Sequence, residues 1–471
     1  MLACFVFSSC NGTDSVTERN GFTIFPDYTD VTIPYNIAPL NFDCSTDDKV
    51  VINIKGQQTS YSKKHSDGKV RFAIRKWKRM LSMEKGNTLY VTITGASKDT
   101  LLSTRWFVSA DAIDPYLSYR LIDPSYVIWD RLDVVERNME TFDTRYLSNN
   151  NITQKKCMNC HISNGSNTSF FHLRGAGGGT LVNRNGQLTK YNMKHDSLVA
   201  TAAYGAPSFD GRYAVFTAAD ISLFYCSAEG KREEVYDNVS DLAVVDFENG
   251  TITDAPSVKG DEYQETFPCF SVDGKTIYFC RTKHLPQPEN TDNMRYSLCS
   301  VDFDPENGKI GNTVRILLDG DRMNCSFNQP RVSPDGRFLV INVSRYGTFP
   351  VWHKECDMLL YNLATGKMKM LNAANSSNSD SHPVWSSNSR WCVFASKRDD
   401  NVYGRPYITH IDEYGNETKA FVLPQKNPNV YVNTLKSYNL PEIYTAPEPY
   451  DAHYIESFYN NIKSVNLTYK R

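Results

Sequence analysis

The sequence has no surplus of basic residues: 51 Lys and Arg stand against 53 Asp and Glu in 471 residues. A nucleic-acid footprint shows as a basic patch or stripe, so this balance argues against one. No stretch reaches about 18 consecutive apolar residues, the length that marks a membrane-spanning helix. Gly-x-Ser-x-Gly is absent, which removes the nucleophile elbow of an α/β-hydrolase. What is present is aromatic residues, 28 Tyr and 24 Phe, among many Gly, Asn and Asp turns. That composition leans to an all-β fold.

Residues 1–10 form an apolar run that ends in Ser8-Ser9 before Cys10. The run resembles the end of a bacterial lipoprotein signal. The resemblance implies lipidation at Cys10, export, and attachment to the bacterial envelope (periplasm or outer membrane) by the lipid alone. Twelve cysteines suit an exported chain, which keeps disulfides. Cys269, Cys280, Cys299 and Cys392 sit in apolar strand-like runs and read as small core residues. Cys44, Cys226, Cys325 and Cys356 leave several pairings open.

Residues 11–40 read as a polar tether and extended lead-in. Residues 41–112 alternate short β-like runs, Val50–Ile54 and Thr88–Thr94 among them, with one short helix expected around Trp77–Leu81. A small β-sandwich-like domain is the expectation. From about residue 200 a repeat takes over. Phe267-Pro268-Cys269-Phe270-Ser271-Val272-Asp273-Gly274 corresponds to Gln329-Pro330-Arg331-Val332-Ser333-Pro334-Asp335-Gly336. The aligned serines Ser208, Ser271, Ser333 and Ser386 fall 63, 62 and 53 residues apart. Each unit runs strand, Ser-x-Asp-Gly turn, strand, and is followed about thirty residues later by a second hairpin. Two hairpins make four strands, one blade of a β-propeller. The fourth unit has Asn388-Ser389 in place of Asp-Gly, so a different turn is expected there.

These units resemble TolB-like propeller repeats, which implies a six-bladed ring over residues 113–445, with 446–471 as a C-terminal tail. Four blades are explicit. Thr180–Lys190 reads as the outer hairpin of a fifth, and Tyr116–Tyr146 supplies a sixth. The segment from Asn427 onward is expected to complete the first blade and close the ring, which removes open sheet edges.

Cys157-Met158-Asn159-Cys160-His161 carries the chemistry. Covalent haem c attachment needs two thiols at this spacing, with the adjoining His as proximal iron ligand. A redox Cys-x-x-Cys belongs beside a βαβ pattern, which is absent. A four-ligand zinc site needs a second Cys/His pair at motif spacing, and none occurs. In the blade register the motif replaces the Pro-x-x-Ser-x-Asp-Gly turn, as a haem-binding insertion at 151–195. His172 ranks first as second iron ligand, ahead of Met193 and His195, and Arg174 is a candidate partner for a haem carboxylate. His382, beside Pro383, reads as a channel or packing residue.

Ile33–Phe42, His172–Gly175 and Ser437–Glu442 further resemble a Bacteroidetes-type envelope family that joins a TolB-like propeller to one Cys-x-x-Cys-His. The expected function is electron transfer or redox sensing with an envelope protein partner. The alternatives are a scaffold that binds a protein or glycan around a structural haem, and a peroxidase-like haem enzyme.

Overall fold

The computed structural model describes residues 21–123, 132–174, 178–225, 233–285 and 288–470. Cys10 and Cys226 lie outside the described residues, as do the side chains of Cys157, Cys160 and Arg174.

Six antiparallel sheets form a ring of blades. Blade 1 contains Tyr116–Ile122, Asp133–Asn138 and Thr144–Asn149, and its fourth strand is Ser437–Tyr444, which returns from the far end of the chain to pair with Tyr116–Ile122. Blade 2 is Cys157–Ser163, Thr168–Arg174, Gly179–Arg184 and Gln187–Asn192. Blades 3 to 6 begin at Ala202–Pro207, Tyr263–Phe270, Ser326–Val332 and Asp380–Trp385. One strand from each sheet borders a single central cavity, represented by Asn439, His161, Tyr204, Phe267, Arg331 and His382. Six sheets that share one axial space, with a terminal strand closing the first, make a closed six-bladed propeller. Segment 151–195 is therefore not an insertion. It supplies the four antiparallel strands of blade 2, and Thr180–Lys190 is that blade's own outer hairpin.

The repeat is explained by its turn. Ser333 N–H donates to Phe338 O (2.8 Å), Phe338 N–H donates to Ser333 Oγ (3.0 Å), and Ser333 O–H donates to Asp335 Oδ1 (2.6 Å). Gly336 takes φ +70°, where glycine carries no Cβ penalty. The fourth unit keeps this turn, contrary to expectation. Asn388 Oδ1 accepts from Ser386 Oγ at 2.6 Å, and Ser389 adopts φ +60°. In blade 2, Asn164 takes the serine's place, its Oδ1 accepting from Thr168 N–H at 3.0 Å.

Proline cannot donate to a ladder, so a Pro inside a strand requires a bulge. The inner strands of blades 4, 5, 6 and 1 bulge at Phe267-Pro268, Gln329-Pro330, His382-Pro383 and Leu440-Pro441, and blade 3 does so at Tyr204-Gly205. The first residue of each bulge has φ between +41° and +56°. Non-glycine residues there cost on the order of 1 kcal/mol or more each. Five such residues stand around one cavity.

The N-terminal unit has a five-stranded sheet in the order Val31–Pro34, Thr100–Ser109, Thr88–Thr94, Val50–Lys55, Ser60–His65, and a three-stranded sheet of Ile24–Phe25, Phe42–Cys44 and Lys69–Val70. Residues 24–34, read as lead-in, thus supply two strands to it. The expected helix spans Ile74–Met83 and buries Trp77, Met80 and Leu81. Trp77 and Trp106 share one apolar core with Trp391 and Phe394 of blade 6. The tail ends in a helix, Ala452–Asn461, and in short strands that lie parallel to the outer strands of blades 2 and 3. Cys269, Cys280, Cys299 and Cys392 are buried free thiols, as are Cys325 and Cys356. No described helix is long and apolar enough to cross a membrane.

Candidate functional site

The central cavity has a volume of about 540 Å³, within the roughly 300–1,000 Å³ typical of small-molecule sites. Its walls are mostly apolar: Ile162, Phe267, Phe349 and the bulge prolines. Arg120, His161, Arg331 and His382, from four different blades, are among the ionisable residues that line it.

His161 lies three residues before its turn residue, as do Pro268, Pro330 and Pro383 in their blades. The bulge of blade 2 falls two residues earlier, between Cys157 and Cys160, so His161 stands in a regular ladder opposite Phe171. Its ring stacks on Phe171 with centroids 6.1 Å apart. Nε2 lies 3.1 Å from Ser118 Oγ, whereas the buried Nδ1 has no hydrogen-bond partner among the described residues. Burial, then the charges of Arg120 and Arg331, push its pKa down to about 3. The imidazole is therefore neutral, the form that ligates a metal.

His382 occupies the bulge of blade 6. Its Nδ1 is 3.0 Å from Ser381 Oγ. Burial, with Arg120, Arg331 and Lys397 near it, holds its pKa well below the ordinary histidine value. Arg331 donates to Glu442 at 2.5 Å, and Glu442 Oε2 accepts from Ser163 N–H at 3.3 Å. Burial raises the Glu442 carboxyl above its usual range despite both partners.

The structure separates residues that the sequence had grouped. His172 pairs with Cys160, one step out of phase with the His161–Phe171 pair. Successive strand residues point to opposite faces, so His172 and His161 lie on opposite faces of the blade. His172 Nδ1 contacts Thr180 Oγ1 at 2.7 Å. This corrects the expectation that His172 faces His161 across one iron. Met193 is buried with Phe170 and Val182, and His195 stacks on Tyr469; neither borders the cavity. The backbone of Arg174 lies opposite Cys157. Arg120, Arg331, Ser118 and Glu442 were missed. The aligned repeat carries one signal: Arg331 is a charged residue in a column that otherwise holds Ala206, Cys269 and Val384. Among the described residues no group of three or more His, Cys, Asp or Glu is arranged to hold a metal ion alone.

A roof covers part of the cavity. The middle strands of blade 3 extend over Tyr213–Tyr225 and Glu233–Asp246, 13 and 14 residues long, and bring Ile221, Leu223 and Val235 to its rim. His353, just past the rim residue Trp352, lies 3.3 Å from Glu234 of this hairpin and 3.6 Å from Glu355. Burial opposes its charge, but the two carboxylates outweigh burial and raise its pKa to about 9. The folded-state pKa exceeds the ordinary 6.5. The contribution to stability is therefore full below about pH 6.5 and is lost as pH rises through about 9. His353→Gln should cost about 1.5–3 kcal/mol at pH 6, by urea unfolding. The difference from the parent protein should shrink at pH 9.5 and above.

No family model and no curated protein matches this chain. Among solved structures the chain is similar to TolB from Acinetobacter baumannii, with 13% identity over 76% of this chain and 79% of that one and a TM-score of 0.43. It is also similar to a putative TolB from Agrobacterium tumefaciens, with 14% identity over 67% and 93% of the two chains and a TM-score of 0.38. A third is an oligogalacturonate lyase in complex with manganese, with 13% identity over 66% and 74% and a TM-score of 0.36. Such likeness concerns the fold alone, and the six-blade assignment rests on the sheet topology.

Proposed function

We propose that this chain is a cell-envelope lipoprotein that holds one covalent c-type haem in its propeller channel and serves electron transfer or redox sensing. The observation that carries this reading is the His161 imidazole. It is neutral, buried and, among the described residues, unpartnered at Nδ1, borders a cavity of ligand size, and directly follows Cys157 and Cys160 on one inner strand. An orphaned buried nitrogen costs about 1–3 kcal/mol unless something occupies it. The residues present fit a haem on these grounds.

Cys157 and Cys160 would form the two thioether links, and His161 would hold the iron. Arg120 and Arg331 offer guanidinium groups for carboxylates in an otherwise apolar space, where charge-assisted pairs are strong. Phe267, Phe349 and the bulge prolines line the cavity and would exclude water from the bound group. Bound there, haem supplies one-electron redox chemistry at a potential set by its axial ligands and burial. Cys10 would carry the lipid.

Expression in a host with c-type maturation tests this. The parent protein should give a covalent pyridine haemochrome spectrum that survives acid–acetone extraction. Cys157→Ala/Cys160→Ala should abolish it while leaving the β-type circular dichroism spectrum in place. A parent protein without covalent haem would refute the reading.

A further inference from the structure

On the reading that haem occupies the channel, we infer that His382, not His172, is the second axial ligand of the iron. The two sequence candidates behind His172 do not reach the cavity, and His172 itself is on the wrong face of blade 2. The wall offers a short choice of iron-binding groups among its described residues: His382, Cys269, Tyr204, Lys155 and Lys156.

Chemistry separates them. A thiol ligates as thiolate, and burial pushes the Cys269 thiol up to about 12. Tyrosine ligates as phenolate and lysine only after its ammonium loses a proton, whereas a neutral imidazole ligates as it stands. His382 supplies an imidazole at the cavity wall. Its Nδ1 is engaged by Ser381, and among the described residues its Nε2 makes no hydrogen bond. A metal-bound histidine characteristically has its other ring nitrogen fixed by a neighbouring group, which Ser381 provides.

His382 stands at φ +56° in its bulge, as the corresponding residues of four other blades do at similar φ, and its N–H donates to Asn342 Oδ1 at 3.2 Å, which fixes its backbone at the cavity wall. His161 and His382 border the same cavity, together with Arg120 and Arg331. A side chain that serves only as packing would not need an uncommitted nitrogen.

The test uses the full chain matured with haem, read by optical, electron paramagnetic resonance and near-infrared magnetic circular dichroism spectroscopy. The parent protein should be fully six-coordinate and low-spin with a bis-imidazole signature. His382→Ala should convert it to high-spin, and added imidazole should restore the low-spin form. His382→Met, which retains a ligand of similar bulk, should show thioether ligation and a raised potential. His172→Ala should leave the spectra unchanged. If His382→Ala fails to fold, His382→Met decides the matter alone. Covalent haem with spectra indifferent to His382, or a high-spin parent protein, would overturn this assignment and leave the haem reading intact. Absence of covalent haem would overturn both.

Discussion

Ending the chain at Lys436 is expected to abolish cooperative unfolding. The removed strand, Ser437–Tyr444, is the innermost strand of blade 1 and, among the described strands, pairs only with Tyr116–Ile122. Tyr438, Ile443 and Tyr444 are buried at 7%, 0% and 3% exposure. Three large apolar side chains at roughly 1.5–3 kcal/mol each amount to about 5–9 kcal/mol. Whole domains are stable by only about 5–15 kcal/mol. The truncation also exposes the Tyr116–Ile122 edge and opens the channel, an invitation to strand-to-strand association. Size-exclusion chromatography should show oligomers, and urea titration followed by circular dichroism should show no sharp transition. A chain ended at Ser464 keeps the closing strand and the helix Ala452–Asn461, and should stay monomeric and cooperative. A folded monomer ending at Lys436 would mean that the ring does not close through this strand.

The second large effect is expected at Arg331. Its guanidinium reaches from blade 5 to Glu442 on the closing strand, and Glu442 also accepts the Ser163 amide of blade 2. One carboxylate thus ties three blades together across the channel. Glu442 is 1% exposed and Arg331 22%. Removing one partner of a buried pair costs about 3–5 kcal/mol, and the residual exposure of Arg331 puts Arg331→Ala near about 3 kcal/mol. Burial already raises the Glu442 carboxyl, and loss of Arg331 raises it further. A folded state that holds a proton the unfolded state releases loses stability as pH rises. The deficit of Arg331→Ala should therefore be larger at pH 8 than at pH 5. Glu442→Gln in the same background removes the charge and should recover part of the loss. Equal deficits at both pH values would mean that Glu442 is not the group left uncompensated.

The ring was legible because its turn is written out in residues. Ser333, Asp335 and Gly336 each have one job in a hydrogen-bonded corner, and the same trio recurs at Ser208 and Ser271. Asn388-Ser389 looked like a departure because only the letters differ: the amide oxygen of Asn388 accepts the same bond, and Ser389 tolerates the same left-handed backbone. Blade 2 was harder. Its bulge moved to Cys157–Cys160 and its turn residue became Asn164, so the repeat lost both markers and read as an insertion.

The site was half legible. Cys157, Cys160 and His161 were visible from their spacing. The error at His172 came from register. Ser163 pairs with Ser169, and that pairing alone puts residue 171 rather than 172 beside His161. Sequence spacing does not reveal it, because the loop between the strands decides it. Arg120 and His382 come from blades 1 and 6, and only closure of the ring brings them to the same space.

Intact-mass spectrometry of the natively produced protein tests the haem claim most directly. One haem should be found covalently added, localised by peptide mapping to the segment that holds Cys157 and Cys160, and lost in Cys157→Ala/Cys160→Ala. An unmodified Cys157–His161 peptide from protein made in a host that matures c-type haem would contradict it.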